Sequence, residues 1–193
     1  LRLGPEQVVG VDVAPRMLRV AAAKIRRRGA GAVIRLRRAP AESLPFPGES
    51  FDAVTSAFGV RNFREPSGGL REMHRVLRPG GAVLVLEFSR PRGPLFGPLY
   101  RFYFRRVLPL LGGRIAGNRG AYRYLPETAM GFPEGEDFLR LLGEAGFRRT
   151  SQERLSRGIA TIYLGWKDPA PGNAPGEEPA GGGTSASQLL TII

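Results

Sequence analysis

Cysteine is absent from this chain, and histidine occurs once, as His74. The first absence excludes a disulfide framework and a thiolate metal site. The second excludes a multi-histidine metal centre and leaves one candidate base for any Ser-His-Asp arrangement, so no metal site is expected. Long apolar runs are missing too. None reaches the roughly 18 residues that a membrane-spanning helix needs, and the opening LRLGPEQ has no leader pattern. Together these absences point to a cytoplasmic protein. Lysine is scarce: apart from Lys24 and Lys167, all of the 29 basic residues are arginine. Only 17 acidic residues oppose them, which leaves a net charge of +12. A field of that sign favours anionic partners, either nucleic acid or acidic lipid headgroups, without choosing between them.

What is present suits one globular domain. The 193 residues are enough for a real core. Val8–Val11 is a continuous apolar run ending at Asp12, the pattern of a buried parallel strand. Pro15 fits the first turn of a following helix, whose apolar residues Met17, Leu18, Ala21, Ala22 and Ile25 recur at helical spacing until Gly29. Residues 32–38 alternate apolar and basic side chains, a weaker strand. After a Pro- and Gly-rich loop, 51–58 reads as a strand and 66–77 as a helix. Arg78-Pro79-Gly80-Gly81 stops that helix. Residues 82–88 form the most clearly buried strand. The alternation predicts an α/β fold, a parallel sheet with helices on both faces.

Residues 90–133 break this alternation with many arginines among aromatics. Residues 134–146 read as a helix, and 147–155 with 158–166 as a closing antiparallel pair. From Asp168 the chain is rich in Pro and Gly and poor in apolar residues, which predicts a disordered tail over 168–193 after a domain over 1–167. The final LLTII is too short to anchor in a membrane.

Three segments carry a family signature in combination. They are VVGVDVAPRML from Val8, FDAVTSAFGVRNF from Phe51, and LREMHRVLRPGGAVLVLEFS from Leu70. They resemble a class I S-adenosylmethionine (SAM) methyltransferase, and within that class the UbiE/MenG quinone C-methyltransferases. The resemblance covers about 4–167. It implies a Rossmann-like sheet, SAM as cofactor and a polyprenylated quinol as substrate, a demethylmenaquinol or a 2-methoxy-6-polyprenyl-1,4-benzoquinol. The family's first strand and glycine-rich loop precede Val8 and have no counterpart here. That first strand is central, between the strands at 8–11 and 51–58. Its two neighbours are therefore expected to lack a backbone partner, which is costly for buried amides. On this reading the chain is an N-terminally incomplete enzyme that alone binds SAM weakly or not at all.

Asp12 ends the strand whose acid, in nucleotide-binding sheets, accepts the ribose hydroxyls; it could equally cap the next helix. The loop from Pro40 through Ala41 to Phe46 matches the family's adenine-binding loop, but Pro40 replaces its polar residue. Proline offers neither a side-chain acceptor nor an N–H, so the Ala41 backbone is the contact left there. Ala57, at a strand end, matches a position that lines the SAM amino-acid moiety. Gly59-Val60-Arg61-Asn62 resembles the G-(L/I/V)-R-N motif of the quinone enzymes. There Arg61 would stabilise the developing phenolate, or hold a water that takes the proton, while Asn62 orients substrate or loop. The plainer alternative is that both merely cap a helix or pair at the surface. His74 reads as a helix surface residue without chemistry.

In 95–111, Leu95, Leu99, Phe102, Tyr103 and Val107 fall three and four apart between arginines. Such a helix suits peripheral contact with the inner face of a membrane, or cover for a prenyl tail. A methyltransferase for another small molecule, and a non-catalytic remnant of the fold, are the competing readings. No nucleic-acid motif accompanies the charge.

Overall fold

The computed structural model describes residues 7–91, 131–170 and 188–193. The Val8–Val11 run lies within β1 (Gln7–Asp12). Pro15 opens α1 (Pro15–Arg27) at the position where a missing N–H costs nothing. β2 (Ile34–Arg38), β3 (Phe51–Ala57), α2 (Pro66–Val76) and β4 (Leu77–Phe88) follow. Beyond the undescribed stretch come α3 (Glu136–Glu144), β5 (Arg148–Leu155) and β6 (Ala160–Trp166). The last element is β7 (Gln188–Ile192). A single 3-10 turn, Val60–Asn62, joins β3 to the approach to α2.

All seven strands form one sheet in the order β2-β1-β7-β3-β4-β6-β5. β2, β1, β7, β3 and β4 run parallel, while β6 runs antiparallel to both β4 and β5. The α/β sheet and its closing antiparallel pair are therefore as the sequence pattern indicates. α2 lies on β4 and against α3, and α1 lies on β1 and β2. The core forms where α2 and α3 meet the sheet. Leu70, Met73 and Val76 of α2 and Phe138 and Leu142 of α3 are fully buried with Val54, Val83 and Val85. Arg78-Pro79-Gly80-Gly81, expected as a turn, instead lies within β4, where its pairing with β3 shifts register. Gly80 sits at φ +79°, and a Cβ on Gly81 would stand 2.8 Å from the Asp52 carbonyl oxygen.

Two expectations need correction. The slot between β1 and β3 is not empty, because β7 fills it. Leu189 and Leu190 stand beside Val8 and Val9 on one side and beside Ala53 and Val54 on the other. An Asp52 carboxylate oxygen accepts the Gln188 N–H at 2.7 Å, and the Thr55 and Thr191 hydroxyls lie 3.0 Å apart. Nor is 168–193 an unstructured tail throughout, since its last residues are a central strand with Leu190 wholly buried. The physical reason is local. Averaged over 26 residues the tail is polar, but five consecutive residues, two of them β-branched, suffice for a strand where two unpaired edges wait. Residues 171–187 lie outside the described residues, as do 92–130 and with them the segment 95–111.

His74 is also placed differently from expectation. It is half-buried, its ring edge-on to Phe147 at 5.0 Å between centroids and packed over Gly146. Burial, with Lys167 and Arg148 nearby, holds the imidazole below its ordinary pKa. A histidine depressed in the fold takes up a proton more readily when unfolded, so acid favours the unfolded chain. Stability is expected to fall as pH drops through the ordinary histidine range, roughly 6.5. His74→Gln should flatten that slope between about pH 7.5 and 5.5, as read by urea denaturation at a series of pH values.

Candidate functional site

In open parallel sheets, ligands gather at the carboxyl ends of the strands. Here that edge collects Asp12 from β1, Ser56 and Ala57 from β3, Glu87 from β4 and the Val60–Asn62 turn. β7 runs between β1 and β3, and the Ile193 N–H donates to the Val11 carbonyl at 3.0 Å.

Asp12 is nearly buried. Its Oδ1 accepts the Ala14 N–H at 2.7 Å, so one oxygen braces the chain entering α1. Oδ2 has no hydrogen-bond partner among the described residues. Asp12 therefore does not cap α1, whose N-cap is Ala14 without a side-chain cap bond; one oxygen holds the turn before the helix and the other is left for a ligand. The Asp12 carbonyl accepts the Ala39 N–H at 3.3 Å, which brings the Pro40–Ala41 loop beside it. Pro40 is exposed and Ala41 buried, and the Ala41 N–H has no partner among the described residues.

That loop is held by residues the sequence reading overlooked. Glu42 accepts the Arg64 and Glu65 N–H groups at the start of α2, at 2.7 and 3.2 Å. Glu72 accepts the Leu44 N–H at 2.8 Å. Arg75 donates to the Phe46 and Leu44 carbonyls at 2.9 and 3.1 Å while forking onto both Glu72 oxygens. Arg75's hydrogen bonds keep the Glu72 carboxyl below its ordinary pKa. The spacing of Glu72 and Arg75, i and i+3 on a helix, was visible in the sequence; their target was not.

Arg61 is not a free surface cation. Its Nη1 donates to Glu87 Oε2 at 2.7 Å, and its backbone N–H reaches Glu87 Oε1 at 3.2 Å. The Arg61 and Glu87 side chains are 9% and 1% exposed. The guanidinium also lies over two rings, 5.7 Å from the Phe58 centroid and 5.1 Å from that of Phe88. Arg61 Nε is buried without a hydrogen-bond partner among the described residues, and so is Ser56 Oγ. Native folds rarely bury such donors unmatched, so both suit contact with a ligand. Asn62 donates to the Phe58 carbonyl at 3.3 Å and is exposed, while Ala57 is exposed at the end of β3. Phe58 holds φ +57°, a left-handed conformation that costs a bulky residue about 1–3 kcal/mol and clusters at functional sites. Sequence reasoning set Phe58, with Ser56 and Ala57, at the strand end where a cofactor would cross, but missed Glu87. A lone acid inside the apolar run AVLVLEF was the available signal for Glu87.

The family model of the ubiE/COQ5 methyltransferases matches residues 3–167. The chain belongs to the ubiE/COQ5 methyltransferase family. It is 46% identical over 160 residues to the ubiquinone/menaquinone biosynthesis C-methyltransferase UbiE of Geobacter sulfurreducens, covering 83% of this chain and 62% of that protein. It is 50% identical over 159 residues to the demethylmenaquinone methyltransferase of Thermus thermophilus, covering 82% of this chain and 71% of that one. The chain thus spans only about two thirds of the length of these relatives. Among solved structures, a SAM-dependent methyltransferase from Thermotoga maritima superposes with a TM-score of 0.59 at 21% identity, over 86% of this chain and 84% of that one. The fold is therefore that of the SAM-dependent methyltransferases, and SAM is the cofactor this family uses. Asp12 Oδ2, the Ala41 N–H and the buried Ser56 Oγ are without partners among the described residues, and such groups suit a ligand rich in hydroxyl and amine groups. Among the described residues no His, Cys, Asp and Glu cluster could hold a metal ion, and no helix is long and apolar enough to cross a membrane.

Removing one partner of the Arg61–Glu87 pair strands a buried charge, which costs about 3–5 kcal/mol. Glu87→Leu is expected to destabilise in that range. In the double variant with Arg61→Met much of the loss should be recovered, and a urea-denaturation double-mutant cycle reads the coupling.

Proposed function

We propose that this protein is a SAM-dependent C-methyltransferase acting on the ring of a polyprenylated quinol in menaquinone or ubiquinone biosynthesis. The observation that carries the reading is the Arg61–Glu87 pair, with Arg61 Nε unpartnered, at the sheet edge that also presents Asp12. Family membership supplies the reaction class, and the curated relatives supply the substrate class.

When bound, SAM provides an electrophilic methyl group. The remaining work falls to the chain's own residues. A quinol ring carbon becomes nucleophilic as the adjacent hydroxyl gives its proton to water; once that carbon carries the methyl group it loses its own hydrogen and the oxygen is reprotonated, so one proton is released overall. Arg61 offers a fixed donor at that oxygen and stabilises the phenolate as it forms. Glu87, together with the Phe58 and Phe88 rings, keeps the guanidinium from swinging into solvent. Asn62 ties the turn back to the Phe58 carbonyl and thereby sets where Arg61 starts. Asp12 and the Ala41 N–H hold the nucleoside, so the methyl donor is positioned before the quinol arrives.

The test is methyl transfer from labelled SAM to demethylmenaquinol, alongside calorimetric SAM binding, on the chain lengthened to the full span of its relatives. Arg61→Lys, which keeps the charge but loses the planar fork, is expected to cut kcat by about 10²–10³ while SAM affinity stays within a few-fold. Asp12→Ala is expected to weaken SAM binding itself. Transfer to an unrelated small molecule but not to any quinol would overturn the substrate assignment. Absence of both SAM binding and transfer would overturn the enzyme reading in favour of a non-catalytic relative.

A further inference from the structure

Charge is not spread evenly over this protein. Residues 13–38 hold nine cationic side chains and no acidic one. The rest of the described residues carry 12 cationic and 13 acidic side chains. All nine cations lie on α1, β2 or the connection between them, and all nine are exposed. None takes part in an ion pair among the described residues. β2 is the outer strand of the sheet, so this unit forms one flank of the molecule.

The same flank exposes aliphatic side chains. Val13 is 60% exposed, Met17 47% and Val20 43%. Met17 and Val20 lie three apart on α1, Lys24 and Arg27 continue the same face, and Val13 immediately precedes the helix. Leu18, Ala21, Ala22 and Ile25 form the opposite, half-buried face. α1 therefore has two apolar faces, one against the sheet and one in solvent framed by arginines.

We propose that the α1–β2 flank is a docking surface for an anionic lipid bilayer. Cations attract the acidic headgroups, and Val13, Met17 and Val20 enter the interface. Nucleic acid would answer the charge alone, but it gains from aromatic stacking, and 13–45 contains no aromatic residue. Aliphatic residues interleaved with cations are what an acyl–headgroup boundary matches. The flank begins one residue beyond Asp12, so docking would set the candidate cofactor edge close to the lipid. The proposal stands independently of the quinol assignment.

Co-sedimentation with vesicles tests it, using phosphatidylcholine alone and phosphatidylcholine with phosphatidylglycerol. The protein should pellet with the anionic vesicles only, and less at higher salt. Arg16→Glu/Arg27→Glu/Arg28→Glu should lower the partition coefficient by about 100-fold or more. Met17→Asn/Val20→Asn should lower it at fixed charge. A matched reversal elsewhere, Arg71→Glu/Arg140→Glu/Arg149→Glu, should leave it within a few-fold. Unchanged thermal melting shows that each variant is folded. Full binding by the α1 variants, equal loss in the matched control, or no vesicle binding at all would overturn the proposal. So would a single-stranded RNA oligomer that binds through the same arginines more tightly than the vesicles and ignores Met17→Asn/Val20→Asn.

Discussion

Every buried backbone N–H and carbonyl needs a partner, and in this fold the need is greatest between β1 and β3. Both strands are interior, with β2 and β4 on their outer sides and each other's hydrogen-bonding edge too distant to reach. A strand must lie between them or two rows of amides go unpaired. β7 meets that demand from the far end of the sequence. Its arrival fixes more than the sheet. Asp52 is drawn to the Gln188 N–H, Thr55 to Thr191, and the β1 end carrying Asp12 is tied through Val11 to Ile193. The spacing of Asp12 from Ser56 and Arg61 follows from the width of that one strand.

On this frame the candidate site is assembled by charge matching. Arg61 and Glu87 are both withdrawn from water, and neither would be tolerated there without the other. Their pairing explains why a charged side chain ends the most apolar strand of the chain. It also turns Arg61 from a mobile side chain into a fixed donor, as the proposed stabilisation of a phenolate requires. Arg75 and Glu72 do for the Pro40–Phe46 loop what Glu87 does for Arg61. Pro40 cannot contribute a polar contact, yet the loop is held so that the Ala41 N–H stays available.

Much of this was legible in the sequence. Continuous apolar runs marked β1 and the second half of β4, and Pro15 marked the start of α1, while Pro79-Gly80-Gly81 read as a turn although it belongs to β4. The family resemblance placed Asp12, Ala41 and Arg61 at one sheet edge. What stayed hidden was long-range. β7 escaped because five strand residues are lost in a Pro- and Gly-rich average, and because its partners lie some 180 and 135 residues away by register. Glu87 escaped because its role depends on a residue 26 positions distant. His74 looked exposed because the ring covering it, Phe147, belongs to the end of another helix's connection. Local pattern shows what a segment can form, and only tertiary pairing shows what it is paired with.

The central claim is that β7 is a structural strand of the sheet rather than a loose end laid upon it. Amide hydrogen exchange on the unaltered protein tests this most directly. The account predicts that the amides of Leu189–Ile192 are protected to the same degree as those of Val83–Val85 in β4, and exchange only with global unfolding. Exchange of Leu189–Ile192 at the rate of an unstructured peptide, with β4 still protected, would contradict it.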